Sequence, residues 1–234
     1  MKKNLFHALL GATLLILLMP QLFGQSSVKP IVLKKGEVLD ILLLSQKSDT
    51  EADLKSYFQT AFPIAKRMSY QPLPGFKITK HTQGNHQPNN LILGKWSDLE
   101  TREDFLTEII KEVPDFHERR RKIWSYFGLC YFELQEDLSL EINRDKFHVA
   151  TAYWLKTEDK SDEFYQKWVE KIEKMGGTMI VQLTNGTSPF GYHYQPSYFV
   201  ISSWEDEAAF LAFQEKTKHL NIDNIQHVNE FILK

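Results

Sequence analysis

The chain has 234 residues, which suits one large domain or two of about 100 residues each. Its composition is 42% hydrophobic and 25% charged, so it has enough apolar side chains for a core and is not a disordered protein. The net charge of −2 at pH 7 gives no general attraction to nucleic acid, and no nucleic-acid partner is expected.

The first 25 residues have the pattern of a bacterial secretory signal peptide. Two lysines precede a continuous apolar run from Leu5 to Met19, and a stretch of small residues follows it. The run is short for a membrane span, although an uncleaved N-terminal anchor stays an alternative. We expect residues 1–25 to be a signal peptide that is cleaved near Gly24 and Gln25. The mature protein would then be periplasmic or secreted, without attachment to a membrane.

The next part of the chain reads as strands and helices in a definite order. The apolar run from Val38 to Leu44 predicts a strand, and apolar residues at helical spacing follow it as far as Met68. Two further strands are predicted around "FKITKHT" and "LILGKW". The helix "LETREDFLTEII", a basic helical piece and the strand "YFGLCYFEL" complete this half. The order is strand–helix–strand–strand–helix–strand.

The second half of the chain repeats this order, from the strand "KFHVATAYWL" to the strand "NIQHVNEFIL". Three features recur at an offset of 108 residues: Asp40 and His148, Gln87-Pro88 and Gln195-Pro196, and Trp96 and Trp204. We interpret the chain as a tandem duplication, with one repeat over residues 32–134 and the other over residues 143–234.

A βαββαβ unit forms an antiparallel sheet with both helices on one face, so that its other face is bare. Two such units in one chain can cover each other's bare faces. The predicted fold class is therefore α+β, with two ferredoxin-like βαββαβ repeats packed sheet to sheet as an intrachain α+β barrel. Because one chain supplies both halves, we expect a monomer or a weak dimer.

The segment "SSWEDEAAFLAF", which follows Gly176-Gly177 and "QLTNG", resembles the dimeric α+β barrel superfamily, which includes the antibiotic-biosynthesis monooxygenases. The likeness is to its small uncharacterised members and covers most of the chain from Phe147 to Lys234. Between Gly36 and Leu134, "WSDLETREDF" resembles the NIPSNAP branch. The resemblance implies a fold more than an activity, because the superfamily includes oxygenases, isomerases, dehalogenases and proteins of no known activity.

The resemblance also bears on cofactors. The haem-degrading members need an Asn on the first strand, a Trp beyond the Trp-Glu position and a His later on that helix. This chain has Asp40 and His148 on its first strands, Phe213 at the Trp position, and His219 too early for the ligand histidine. The histidines also show no H-x-H or i, i+4 pair that would suggest a metal site. We therefore expect neither a cofactor nor a metal.

Asp40 and His148 are the most interesting polar residues on the predicted strands. Each points away from an apolar set on its own strand, and His148 shares its face with Trp154. If helices cover the apolar sets, both polar residues face the space between the repeats. There they could act as an acid–base pair or hold a polar group of a ligand. Alternatively, they bond only each other or nearby backbone.

Two further segments could complete a ligand site. His227 lies in the last strand, which in this fold borders the strand of His148. The long loop "NGTSPFGYHYQP" carries Phe190, Tyr192 and His193 between glycines and prolines. Aromatic residues on such a loop suit a lid over an apolar ligand, although the loop could equally pack on its own aromatic side chains.

These residues predict a non-catalytic module that binds a small, partly apolar molecule between the two repeats. Two alternatives from other classes stay open. One is a cofactor-independent monooxygenase or isomerase of the barrel superfamily, and the other is a structural or interaction protein without a ligand. The sequence leaves open whether the chain is an enzyme.

Overall fold

The computed structural model describes residues 30–157, 161–189, 191–217 and 224–234, and of residues 161–164 only the backbone. The predicted signal peptide and Phe190 lie outside the described residues. None of the helices in the described part is long and apolar enough to cross a membrane.

The elements follow the predicted order, with two short strands added. In chain order they are β1 (Ile31–Leu33), β2 (Val38–Gln46), α1 (Glu51–Arg67), β3 (Gln71–Gln83), β4 (Asn90–Trp96), α2 (Leu99–Glu112), α3 (Phe116–Ile123), β5 (Trp124–Glu133), β6 (Leu138–Leu140), β7 (Phe147–Leu155), α4 (Ser161–Lys174), β8 (Thr178–Thr184), β9 (Tyr198–Trp204), α5 (Glu207–Thr217) and β10 (Ile225–Leu233). The added strands β1 and β6 pair with each other in a separate small sheet.

The strand–Trp–helix unit that occurs in both halves has a local cause. Asp98 and Asp206 each stand two residues after a buried tryptophan, directly before a helix. An Oδ1 atom of Asp98 accepts a hydrogen bond of 2.7 Å from the backbone N–H of Thr101, and Asp206 accepts one of 2.8 Å from Ala209. These side chains satisfy amide groups that the first turn of a helix leaves free, so both helices begin where the sequence predicts.

The large sheet has eight strands in the order β5-β2-β4-β3-β10-β7-β9-β8, and all neighbours are antiparallel. Its first four strands come from the first half and its last four from the second half, with the same internal order in each. That order is the one of a ferredoxin-like βαββαβ unit. The fold is therefore α+β with two ferredoxin-like units, as predicted.

The two halves join along two seams. At the first seam β3 pairs with β10. At the second, the segment after β8 runs beside β5, where Tyr131 and Thr187 exchange two backbone hydrogen bonds of 2.9 Å. The Ser188 hydroxyl extends this contact by donating to the carbonyl oxygen of Leu129, at 2.9 Å. The sheet is thereby closed into a barrel, with helices outside.

The inside of the barrel is filled by apolar side chains from both halves. Leu39, Ile41 and Leu43 of β2 meet Ala150 and Ala152 of β7 in one buried cluster. A second kind of core lies between the strands and the helices, where Val38 and Trp96 pack under α1 and α2. The space between the repeats, where the sequence predicts a ligand, is therefore occupied by core side chains.

The sequence predicts that Asp40 and His148 occupy equivalent positions in the two halves. The strand registers show that this prediction is wrong by one residue. In the first half Val38 lies opposite Trp96, whereas in the second half Phe147 lies opposite Trp204. The two tryptophans are 108 residues apart in the sequence, whereas the residues that pair with them, Val38 and Phe147, are one residue more than 108 apart. Since side chains alternate between the faces of a strand, this single residue reverses the face.

The reversal separates the two polar residues. His148 occupies the position of the inward-facing Leu39, and its ring touches Phe76 of the inner core. Asp40 occupies the position of Val149 and lies on the helix-covered face. The predicted Asp40–His148 pair therefore does not form.

Candidate functional site

Asp40 belongs to a buried ion pair under α2. Its Oδ1 accepts a hydrogen bond of 2.6 Å from Nε of Arg102, and its Oδ2 accepts one of 3.0 Å from Nε1 of Trp96. The Arg102 guanidinium also lies over the rings of Trp96 and Tyr131, at 5.4 and 4.6 Å from their centroids. Both charged side chains are almost fully buried. Asp40 is thus engaged in a structural contact and not in the predicted ligand site.

His148 is also held by structural contacts. Its Nε2 donates to the backbone oxygen of Asn143 at 2.7 Å, because a carbonyl oxygen can only accept. Burial lowers the pKa of His148, and Arg144 lowers it further, while the bond to Asn143 opposes the shift. Trp154 lies six residues further along β7, a distance of about 20 Å at the usual rise of a strand. His148 therefore stands at the other end of the barrel from Trp154.

The end of the barrel near Trp154 is lined by ring side chains from both halves. The five rings are those of His86, Tyr126, Trp154, Tyr194 and His227, which we call the ring cluster. The centroid of Trp154 lies 5.1 Å from that of His227 and 5.3 Å from that of Tyr194. His86 is stacked on Trp154 at 6.3 Å and 24°. The sequence-predicted residues Trp154 and His227 are therefore brought together.

An open depression of about 400 Å³ lies at this end, bordered by Trp154 and by the segment after β8. The other lining residues are Ser188, Pro189, Gly191, His193 and Gln195. The described residues that line it include one large aromatic ring, several polar groups and no carboxylate or ammonium. The volume falls within the usual range of small-molecule sites, roughly 300–1,000 Å³. His193 thus lines the depression, and its binding of a ligand stays a prediction.

Tyr192, by contrast, does not line the depression. Its hydroxyl oxygen accepts a hydrogen bond of 2.6 Å from Nη1 of Arg120 and lies 3.0 Å from Nδ1 of His117. Its ring packs against Phe127, at 5.1 Å between centroids. These contacts attach the loop to α3 and β5 of the first half. The sequence predicts Tyr192 as a ligand contact, whereas its side chain attaches the loop to the first half. Phe190, the third aromatic residue of that prediction, lies outside the described residues.

The ring cluster combines burial with polar atoms that have no protein partner among the described residues. Burial lowers the pKa of His86, and the charge of His227 lowers it further, so His86 favours its neutral form. The ring nitrogens of His86 have no hydrogen-bond partner in the part of the chain that the structure describes. The hydroxyl group of Tyr194 is buried and also has none among the described residues. Unsatisfied polar groups of this kind are uncommon in cores and often mark functional positions.

Sequence reasoning missed His86, Tyr126 and Tyr194 as members of the cluster. One signal could have found two of them. The offset that relates Gln87-Pro88 to Gln195-Pro196 also relates His86 to Tyr194, and these rings meet at 5.7 Å. Tyr126 has no such signal, because its contact with His86 depends on how the seam closes.

A second, smaller depression of about 200 Å³ lies over the Tyr131–Thr187 bridge. Its lining includes Glu103 and Glu133, and the Glu103 carboxylate accepts a hydrogen bond of 2.9 Å from the Tyr131 hydroxyl. In the described residues no group of three His, Cys, Asp or Glu side chains is arranged to hold a metal ion. We therefore take the ring cluster and its depression as the candidate functional site.

No known family model matches the chain, and no curated protein matches it. Solved structures do. Chlorite dismutase from Candidatus Nitrospira defluvii, in complex with imidazole, has a TM-score of 0.53 at 7% identity, covering 86% of this chain and 92% of that one. An anthrone oxidase-like protein has a TM-score of 0.49 at 15% identity, with 87% and 94% covered. A protein provisionally named a monooxygenase, from Fusobacterium nucleatum, has a TM-score of 0.44 at 16% identity, with 86% and 93% covered.

Sequence identities this low give information only about the fold, and the two structures with TM-scores below 0.5 are not used as evidence. The likeness to chlorite dismutase extends over most of both chains. The duplication and the likeness to the NIPSNAP branch remain predictions. What the comparison establishes is that this chain shares the α+β barrel architecture of chlorite dismutase.

Proposed function

We propose that the protein binds a small, planar, partly apolar molecule in the depression over Trp154, at the end of the barrel. The observation that carries this proposal is the open space of about 400 Å³ over Trp154, whose ring is held by the other members of the ring cluster from both halves. Aromatic rings offer large flat surfaces and prefer stacked or edge-on contacts. A planar molecule is the shape that such a floor accommodates best.

The chemistry of the lining narrows the ligand class. The polar lining groups are the Ser188 hydroxyl, the Gln195 amide and the His193 imidazole. A strongly charged ligand would lose hydration here without an opposite charge among the described lining residues. The proposed ligand is therefore neutral or weakly polar. This differs from the position expected from the sequence, since the interior of the barrel is filled by core side chains.

Calorimetry with two bicyclic probes, naphthalene and quinoline, tests the proposal. Replacement of Trp154 by Ala should weaken binding of either probe about tenfold, because stacking on one aromatic side chain contributes roughly 1–3 kcal/mol. Trp154→Phe keeps a ring and should retain most of the affinity. Trp124→Phe, on the helix-covered side of β5, is the matched control and should bind like the wild type. Failure of both probes to bind the wild type, or equal binding to Trp154→Ala, would overturn the proposal.

A second candidate function is a cofactor-independent monooxygenase or isomerase. One observation favours it: His86 is a half-buried imidazole with a lowered pKa, stacked on the Trp154 ring that borders the depression, so it is available as a proton acceptor at neutral pH. Oxygen uptake with a phenolic substrate, compared between wild type and His86→Gln, separates this function from simple binding. Equal background uptake in both proteins would exclude the oxygenase.

We also propose that the protein works outside the cytoplasm and acts as a monomer or weak dimer. The N-terminal pattern supports export, and the pairing of two βαββαβ units within one chain supports a monomer. Mass spectrometry of the mature N-terminus and sedimentation analysis provide the respective tests. An intact Met1 in a membrane fraction would contradict export.

A further inference from the structure

The amide group of Asn229 lies between His86 and His227, at the floor of the candidate site. Asn229 is fully buried on β10. Its Oδ1 faces the backbone N–H of His86 at 3.4 Å, and its Nδ2 lies 3.2 Å from Nε2 of His227. Each end of the amide therefore has one neighbour. The backbone N–H of His86 can only donate a hydrogen bond, whereas Nε2 of His227 can donate or accept one.

The backbone N–H of His86 fixes the orientation of this amide. A backbone N–H can only donate, so the Asn229 atom that faces it must be the oxygen. The reverse orientation would oppose two donors at His86 and leave its backbone N–H without the Asn229 acceptor. Oδ1 therefore faces His86, and the NH₂ group faces His227.

The turn before β4 makes room for the amide. Gly84 has a φ of +88°, and a Cβ atom there would come within 1.9 Å of Asn229 Oδ1 and 2.4 Å of the Val228 carbonyl oxygen. Only glycine accommodates both this backbone conformation and this approach. Gly84, the glycine of "QGNHQP", thus leaves the space that the Asn229 side chain occupies.

The orientation of the amide decides which nitrogen of His227 carries the proton. Because Nδ2 of Asn229 is a donor, Nε2 of His227 must accept, and the neutral ring must hold its proton on Nδ1. Nδ1 has no hydrogen-bond partner among the described residues, and the ring is half-buried against Trp154. An N–H donor next to the stacking surface is thereby left for a ligand.

We propose that Asn229 holds His227 as the Nδ1–H tautomer, so that His227 selects ligands with a hydrogen-bond acceptor in the plane of their rings. The preference for acceptor-bearing ligands rests on the proposed function, whereas the tautomer does not. Ligand classes that fit are planar heterocycles and aromatic ketones. Planar hydrocarbons of the same shape would lack the contact, because they offer no acceptor to the His227 N–H.

The tautomer can be measured on the purified full chain without any ligand. Long-range ¹H–¹⁵N spectra distinguish protonated from unprotonated ring nitrogens, and two other histidines provide internal references. His81 and His148 each have Nε2 near a backbone oxygen, at 2.6 and 2.7 Å, so both are Nε2–H tautomers. We expect His227 to show the opposite pattern in the same spectrum. An Nε2–H pattern at His227 would overturn the proposal, whatever the protein binds.

Asn229→Asp provides the second arm, because a carboxylate accepts where the amide donates. It should move the proton of His227 to Nε2; a variant that does not fold leaves the wild-type spectrum as the deciding measurement. Quinoline and naphthalene have the same shape and differ in one ring nitrogen. Wild type should bind quinoline several-fold more tightly, and Asn229→Asp should lose that preference. Equal binding of both probes to the wild type would refute the selecting role and leave the site standing. No binding of either would refute the proposed function and the selecting role together.

Discussion

The buried ion pair between Asp40 and Arg102 offers the sharpest test of the structure, through the variant Asp40→Asn. The side chains are 5% and 2% exposed, and their atoms are 2.6 Å apart. Replacing the carboxylate by an amide leaves an acceptor for Trp96 but opposes an NH₂ group to the guanidinium. Arg102 then keeps its charge in the protein interior without a carboxylate beside it.

The expected loss of unfolding free energy is large. Removing one partner of a buried ion pair costs roughly 3–5 kcal/mol, which is a large part of the roughly 5–15 kcal/mol that stabilises an ordinary domain. Replacing both partners, as Asp40→Leu with Arg102→Met, should recover most of this loss, because no buried charge remains. The recovery should be incomplete by about 1–2 kcal/mol, since the contacts of the guanidinium with two aromatic rings are lost as well.

Urea denaturation of Asp40→Asn and of the double variant, each compared with the wild type, measures these differences, provided that the slope of the unfolding curve stays constant. Asp137→Asn, which breaks the exposed pair with Lys34, is the matched control and should unfold close to the wild-type midpoint. Affinity for quinoline should be unchanged in folded Asp40→Asn, because Asp40 faces the helices. A loss below about 1 kcal/mol would refute the reasoning, because that is the range of exposed ion pairs.

Two further predictions concern pH. Burial raises the pKa of the Glu230 carboxyl above its ordinary value of 4.5. The stability that this group contributes is therefore present below pH 4.5 and is lost as the pH rises through the folded-state pKa. Glu230→Gln should remove this part of the pH dependence in urea melts, and an unchanged profile would contradict the prediction. Burial and the neighbouring Arg120 and Arg121 lower the pKa of His117 below 6.5, so stability should fall as the pH drops below 6.5 towards the folded-state pKa. His117→Gln should flatten this acid side of the stability profile, and a loss as steep as in wild type would count against burial and the two arginines at His117 as its cause.

Much of the fold could be predicted from the sequence. The alternation and spacing of apolar residues predict the strands and helices in their order, and in the structure the aspartates after Trp96 and Trp204 cap two of these helices. These features are local, because a cap or a period depends on residues within one or two turns of each other. The similar order of the two halves then leads to the pair of βαββαβ units.

The candidate site could be predicted only in part. Trp154, His193 and His227 were singled out from the sequence, and the structure puts them at one end of the barrel. The contacts of Arg120 with Tyr192, and of Asn229 with His86, join segments more than 70 residues apart. Such contacts follow from the closure of the seams, which no local pattern encodes.

The faces of Asp40 and His148 show most clearly what the tertiary structure decided. The strand "VLDILLL" is apolar on both sides, because one side packs under helices and the other fills the barrel. In a strand that is buried on both faces, polar and apolar residues do not alternate, so the sequence does not indicate which face lies under the helices and which lies inside the barrel. Its register against β4 therefore decides the orientation, and a difference of one residue between the halves sends Asp40 outward to Arg102 and His148 inward to Phe76. The sequence by itself determined that these strands exist and are buried; only their pairing determined where each side chain points.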